Sequence, residues 1–325
     1  MKNFALIGVA GFVAPRHLRA IKETGNNLVA ALDKSDSVGV VDSYFPDAAF
    51  FTEFERFDRY ADKLQRATDR RLDYVTVCSP NYLHDAHVRF ALRSGADAIC
   101  EKPLVINPWN VEPLMALERE TGRRICNVLQ LRLHPSIVAL KERVEREERD
   151  AKYDIDLAYI TPRGRWYLQS WKGDANKSGG ITMNIGVHLF DMLTWIFGRP
   201  DYGNVHVSEP TRTAGYLELQ KARVRWYLSL NQHDLPVAPQ PGKHTTFRSI
   251  TVDGEEIEFS DGFTDLHTQV YQRVLRGDHF SVADAQVAID VVHGIRTSTP
   301  IGLHGDYHPL LRHNQSESAD ARAAA

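Results

Sequence analysis

The sequence predicts an α/β protein of two domains: an N-terminal doubly wound parallel sheet, then a C-terminal α+β domain with an open, mainly antiparallel sheet. Three observations carry this. The chain has 325 residues, more than one hydrophobic core usually serves. Up to Leu129, short apolar runs alternate with helical patterns, as in β-α-β units. Beyond Asp150, apolar runs follow one another as hairpins without helices between them. The expected division is 1–128 and 129–325.

In the first part, residues 4–9, 28–32, 74–78, 98–100 and 125–129 read as strands. Residues 15–24, 83–93 and 108–121 read as helices; Gly95 and Gly122 punctuate the last two. A helix over 135–150 follows. Its run from Lys141 to Arg149 is a solvated face. In the second part, 153–161, 214–219, 222–230 and 249–252 read as strands, with a turn at Asp253-Gly254. Residues 187–197 form an amphipathic helix stopped by Gly198 and Pro200. Helices over 264–276 and 282–297 and a small polar tail at 316–325 close the chain.

Composition excludes several function classes. With 42 acidic and 39 basic residues the net charge is -3, which gives no reason to expect nucleic acid or an anionic membrane as partner. No apolar stretch reaches membrane-spanning length, and the run before Gly8 is too short for a signal peptide. Cys78, Cys100 and Cys126 form no C-x-x-C pair, as in a reduced, cytoplasmic protein. The 14 histidines are scattered without a His-carboxylate cluster, so no metal site is expected.

The first strand ends in Gly8-Val9-Ala10-Gly11-Phe12-Val13-Ala14 before a helix. A dinucleotide fingerprint needs glycines for the turn, for close approach of a pyrophosphate and for helix packing. Only Gly8 stands at its standard position, with Gly11 displaced by one. Pro15 suits the first helical turn, and Arg16 or His17 is placed to meet a phosphate. Asp33, at the end of the second strand, can accept hydrogen bonds from ribose hydroxyls and repels a 2'-phosphate, which favours NAD over NADP.

Two more segments fall at carboxyl ends of strands, where such sheets bind ligands: Ser79-Pro80-Asn81-Tyr82-Leu83-His84 and Glu101-Lys102-Pro103. Much later, Asn184 and His188 stand four apart in Ser178-Gly179-Gly180 to Asp191, one helical turn. With these motifs in this order, the chain resembles the Gfo/Idh/MocA oxidoreductases along nearly its whole length. The resemblance implies a Rossmann domain followed by an open sheet. It implies that Lys102 and His188 flank the reacting carbinol, and that the Lys102-Pro103 bond is cis, as in many members. It further implies a cofactor site drawn from Gly8, Gly11, Phe12, Val13, Arg16, His17, Asp33, Lys34, Ser79, Asn81, His84, Glu101 and Gln130. Glu101 would position Lys102 or touch the cofactor. Many members carry Asp where this chain has Asn184, and a neutral amide can orient a group but not act as a base.

Arg163-Gly164-Arg165-Trp166-Tyr167 and Ser170-Trp171-Lys172-Gly173-Asp174 resemble, more closely, the branch acting on UDP-N-acetylglucosaminuronic acid. That branch oxidises the sugar's C3 hydroxyl on the way to bacterial surface polysaccharide. A diphosphate and a carboxylate need cations, which Arg163, Arg165 and Lys172 can supply. Trp166, Tyr167 or Trp171 can cover uracil or a sugar face. Ser178, Thr182 and Asn184 complete the substrate site the resemblance implies. It also implies NADH reoxidation by 2-oxoglutarate and a homo-oligomer, dimer or tetramer. The residues leave open whether His188 or Lys102 is the base: His188 has a suitable ordinary pKa, and burial beside a cation lowers that of a lysine. Competing readings are another sugar or inositol as substrate, or a non-catalytic NAD-binding protein.

Overall fold

The computed structural model describes residues 1–67, 71–236, 246–257, 259 and 265–312. The chain begins with β1 (Asn3–Ile7), α1 (Ala14–Glu23), β2 (Asn27–Leu32), β3 (Ala49–Phe51), α2 (Phe54–Arg66), β4 (Tyr74–Val77), α3 (His84–Arg93), β5 (Asp97–Cys100), α4 (Val111–Thr121) and β6 (Ile125–Asn127). There follow α5 (Pro135–Arg146), β7 (Tyr153–Ile160), α6 (Trp166–Gln169), α7 (Ala175–Ser178), α8 (Val187–Phe197), β8 (Pro200–Glu209), β9 (Arg212–Leu219), β10 (Ala222–Ser229), β11 (Phe247–Val252), β12 (Glu255–Glu256), α9 (Leu266–Leu275) and α10 (Val282–Thr297). Thr264, the expected start of α9, and the tail at 316–325 lie outside the described residues.

Two compact units result: Met1–Leu133 with Phe263–Ile289, and His134–Gly262 with Asp290–Ala325. In the first, six parallel strands run in the order β3-β2-β1-β4-β5-β6. All four residues of β4 and of β5 are buried, as expected of strands covered on both faces. Alternation divides β1: Ala5 and Ile7 join a core with Phe57, Val88 and Leu114, whereas Phe4 and Leu6 join one with Leu18, Ile21 and Ile99.

The expected second domain was 129–325, but residues up to Leu133 and the segment containing α9 group with the first unit. Val270, Tyr271 and Val274 of α9 complete the Phe4 core, and the Tyr271 ring stacks on Phe4 at 5.7 Å. Val282, Ala285 and Ile289 of α10 complete the other core. Helical periodicity marks an apolar face without saying which sheet that face covers. The reading also omitted β3 and α2, because a three-residue edge strand is too short to show alternation and α2 is dominated by charge.

The second unit holds a mixed sheet in the order β12-β11-β7-β10-β9-β8. Its pairs are antiparallel except β7 with β10. Successive residues of β10 face opposite ways. Trp226 meets Phe190 of α8 edge-on at 5.4 Å, and Tyr227 lies 5.6 Å from His308 in a cluster with Ile160, Ala214 and Leu311. The largely exposed β8, which opens on Pro200, escaped the sequence reading because it lacks an apolar alternation. Among the described residues no helix is long and apolar enough to cross a membrane. Phe190→Ala is expected to destabilise the second unit by about 3–5 kcal/mol, measured by denaturant unfolding, since it opens a cavity against Trp226.

Candidate cofactor cradle and active-site elements

In the first unit, the backbone turns sharply after β1. Gly8 has φ +91°, and a Cβ there would lie 2.5 Å from the Cys78 carbonyl carbon and 2.6 Å from the Ser79 amide nitrogen. Glycine is therefore required twice over, for the dihedral and for the close approach of two chain segments. The turn is tied by Gly8 N donating to Leu32 O at 2.8 Å and Gly11 N donating to Gly8 O at 3.0 Å. The Asp33 carboxylate accepts from Ala10 N and from Ser35 N, each at 3.0 Å, so it sits beside the glycine turn. Phe12, Arg16 and Lys34 are exposed around that turn, and Val13 is half-buried. Pro15 stands in the first turn of α1, whose leading amides have no side-chain cap. This cradle, left open because no Cβ fills it, suits a dinucleotide pyrophosphate.

His17 does not face that cradle, contrary to expectation. It is fully buried, with Nε2 donating to Glu101 Oε1 at 2.9 Å and Nδ1 2.9 Å from the Tyr271 hydroxyl. Arg16 and His17 are adjacent on α1, and helical geometry turns one outward and the other into the core. Glu101 Oε1 also accepts from His267 Nε2 at 2.9 Å, and the Tyr271 hydroxyl lies 2.8 Å from Thr76 Oγ1. Burial opposes the Glu101 charge, but the two imidazole hydrogen bonds outweigh it and hold the carboxyl well below its usual range. Burial pushes the His17 pKa down, against the pull of Glu101.

No His-carboxylate cluster was expected, yet His17, Glu101 and His267 bring three ligand atoms within 4.8 Å of one another. Members 84 and 166 residues from Glu101 leave no local spacing to read. Both imidazoles donate to the same oxygen, Oε1, at hydrogen-bond distance. His267, Tyr271 and Thr76 were all missed. The one available signal was the i, i+4 spacing of His267 and Tyr271.

The segment around Lys102 is held from its other side as well. His84, also buried, places Nδ1 2.7 Å from Pro103 O and Nε2 2.8 Å from Ser79 O. Burial lowers its pKa, against the two carbonyls that favour the charged ring. Ser79 Oγ lies 2.8 Å from His87 Nδ1, and burial, then the charge of His84, lowers His87 to about 4. Asn81 is buried at the start of a short 3-10 turn. Lys102 is half-buried, and its bond to Pro103 is cis. Gln130 Oε1 is buried without a hydrogen-bond partner among the described residues, an acceptor available to a ligand.

In the second unit, Thr182–Gly186 form a π-helical turn that runs directly into α8, whose second residue is His188. Gly186 permits this turn, since a Cβ there would lie 2.7 Å from Leu228 Cδ1. Such turns are frequent at functional sites. Asn184 Nδ2 donates to the buried Tyr167 hydroxyl at 2.6 Å. Burial raises the Tyr167 pKa, and the Asn184 bond offsets part of that. The His188 ring meets Tyr159 edge-on at 6.0 Å. Lys172 Nζ stands 4.6 Å from the Trp171 ring centre and 5.6 Å from that of Trp166. Burial, then the charge of Arg163, lowers the Lys172 pKa. Arg163, Arg165 and Trp166 are exposed. Ser178 serves its own turn: Oγ donates to Asp174 O and accepts from Gly180 N, each at 3.0 Å. Thr182, four residues on, is buried.

Residues 2–129 match the Gfo/Idh/MocA model described as an oxidoreductase family with NAD-binding Rossmann fold, and residues 142–286 match its C-terminal alpha/beta domain. The chain belongs to the Gfo/Idh/MocA oxidoreductase family. NAD is the cofactor of this domain. Among solved structures, the WlbA (WbpB) dehydrogenase from Thermus thermophilus, in complex with NAD and UDP-GlcNAcA, is 50% identical at a TM-score of 0.89 and covers 95% of this chain and 99% of that one. The WlbA dehydrogenase from Bordetella pertussis shares the fold at 19% identity and a TM-score of 0.74, covering 94% of this chain and 98% of that one. The D-glucoside 3-dehydrogenase of Escherichia coli is 30% identical over 139 residues, 41% of this chain and 38% of that protein. The oxidoreductase YteT of Bacillus subtilis is 23% identical over 61% of this chain and 47% of its own length. The chain thus spans about half or less of these curated relatives. Gly8→Ala is expected to weaken NAD binding about tenfold or more, followed by NADH fluorescence titration, because the strained dihedral and the clash with Cys78 distort the cradle.

Proposed function

We propose that this protein oxidises the C3 hydroxyl of UDP-N-acetyl-D-glucosaminuronic acid to the 3-keto sugar, with NAD as oxidant. The observation that carries this is the 50% identity, end to end, with a dehydrogenase solved with NAD and UDP-GlcNAcA. The residues present suit that substrate. Arg163, Arg165 and Lys172 offer cations to the diphosphate and carboxylate, with Trp166 and Trp171 beside the lysine as apolar faces. Asp33 suits the adenosine ribose, and the loop of Gly8, Gly11, Phe12 and Val13, with Arg16 and Lys34, suits the pyrophosphate side. Gln130 offers its unpaired oxygen.

Bound NAD supplies the hydride acceptor. His188 takes the proton of the reacting hydroxyl, and Lys102 donates a hydrogen bond to its oxygen as negative charge develops there. Asn184 cannot take that proton; anchored by Tyr167, it orients a polar group. Glu101, His17 and His84 support the site through hydrogen bonds within the first unit.

A second Thermus thermophilus structure, 51% identical, holds NAD and alpha-ketoglutarate. It supports reoxidation of NADH by 2-oxoglutarate, giving 2-hydroxyglutarate. The setting that fits this chemistry is cytoplasmic synthesis of a 2,3-diacetamido-uronic acid for bacterial surface polysaccharide such as O-antigen, by a homo-oligomer, dimer or tetramer. The test is mass spectrometry of the sugar nucleotide after incubation with NAD and 2-oxoglutarate. A two-hydrogen loss with appearance of 2-hydroxyglutarate is expected, and an unchanged sugar nucleotide overturns the assignment. Lys102→Ala is expected to lower turnover by about a hundredfold or more while NAD affinity stays near the parent value.

A further inference from the structure

Lys102 lies between two residues that buried histidines hold in place. Before it, Glu101 is fixed through its side chain by His17 and His267 and through its backbone by donation from Glu101 N to Val77 O at 3.0 Å. After it, the Pro103 carbonyl is fixed by His84 Nδ1 at 2.7 Å. The far nitrogens of two of these rings are anchored in turn. His17 Nδ1 meets Tyr271, which meets Thr76 on β4, and His84 Nε2 meets Ser79 O at the end of the same strand. Both clamps therefore lead back to the β4 strand and the residues just after it. All three histidines are buried, His17 at 0%, His84 at 1% and His267 at 4% exposure.

We propose that His17, His267 and His84 are positioning residues for Lys102, acting through Glu101 on one flank and the Pro103 carbonyl on the other. The proposal rests on the reading of Lys102 as a group of the reacting site. A lysine has a long, freely rotating stem, so its ammonium can be aimed only if the backbone that carries it cannot shift. Three imidazoles do this without adding a net carboxylate charge next to the ammonium beyond Glu101 itself. The His17 and His267 rings also pack edge-on at 4.9 Å, so each keeps the other on the shared oxygen.

The test compares His267→Phe, which keeps a ring and removes the donor, with His267→Gln, which keeps an N–H. Its first readout is the acylation rate of Lys102 by acetic anhydride in the full chain with no sugar nucleotide present, followed by peptide mass spectrometry. Its second is the separation of kcat from KM with UDP-N-acetylglucosaminuronic acid. His267→Phe is expected to lower kcat about a hundredfold with KM and NAD affinity within about threefold of the parent. Lys102 acylation is expected to change about fivefold or more, with His267→Gln restoring both. A folded His267→Phe protein with parental acylation and kcat overturns the proposal. If that variant does not fold, Tyr271→Phe, which removes only the hydroxyl behind His17, decides: a changed acylation rate supports the clamp and an unchanged one overturns it. Because acylation needs no substrate, it answers even if the proposed sugar is not turned over.

Discussion

A carboxylate shut away from water needs hydrogen-bond donors before a fold can close over it, and Glu101 finds two imidazole N–H groups on one oxygen. The consequences spread along the chain. His17 lies on the helix that opens the cofactor cradle, Glu101 just past the end of β5, and His267 on a helix that returns from far later in the sequence. One buried charge thus ties three distant segments into a single unit. Leaving out any partner would strand an ionised group in the core, so the return of α9 to the first sheet is electrostatically demanded as well as apolar.

The same economy governs the cradle. A fingerprint with only one glycine at its standard place still builds the turn, because Gly8 carries the two tasks that no other residue can. Asp33 serves the turn by accepting from Ala10 N. The carboxyl ends of β1, β2, β4 and β5 each contribute something nearby: Gly8, Asp33, Ser79 and Lys102. This is the place where a doubly wound sheet presents its ligand-binding loops.

In the second unit, the candidate site residues fall along one irregular stretch from Arg163 to His188. Glycines and a π turn bend the chain there, while α8 behind it is anchored by Phe190 on Trp226. A rigid helix thereby carries His188, and exposed cations lie on the loops before it. The division is physical: His188 stands on a regular helix, and Arg163 and Arg165 stand on the loop before it.

The sequence by itself determined the fold class, the strand-turn-helix start, the loops at residues 79–84 and 101–103 and the helix that bears His188. Each rests on local pattern: period-two alternation, glycine stops, or motifs within a few residues. Only the tertiary structure decided what those loops lean on. His17 looked like a phosphate ligand because it follows the glycine turn, but a helix rotates neighbouring residues by about 100°, and Arg16 and His17 part company. Ser178 and Thr182 sit in the right motif, yet one hydroxyl closes its own turn and the other is buried. His267 and Tyr271 showed no more than an i, i+4 spacing, because a partner 166 residues from Glu101 is set by packing alone. The placement of α9 was equally hidden: periodicity gives a helix an apolar face, and only the folded chain chooses the sheet it covers.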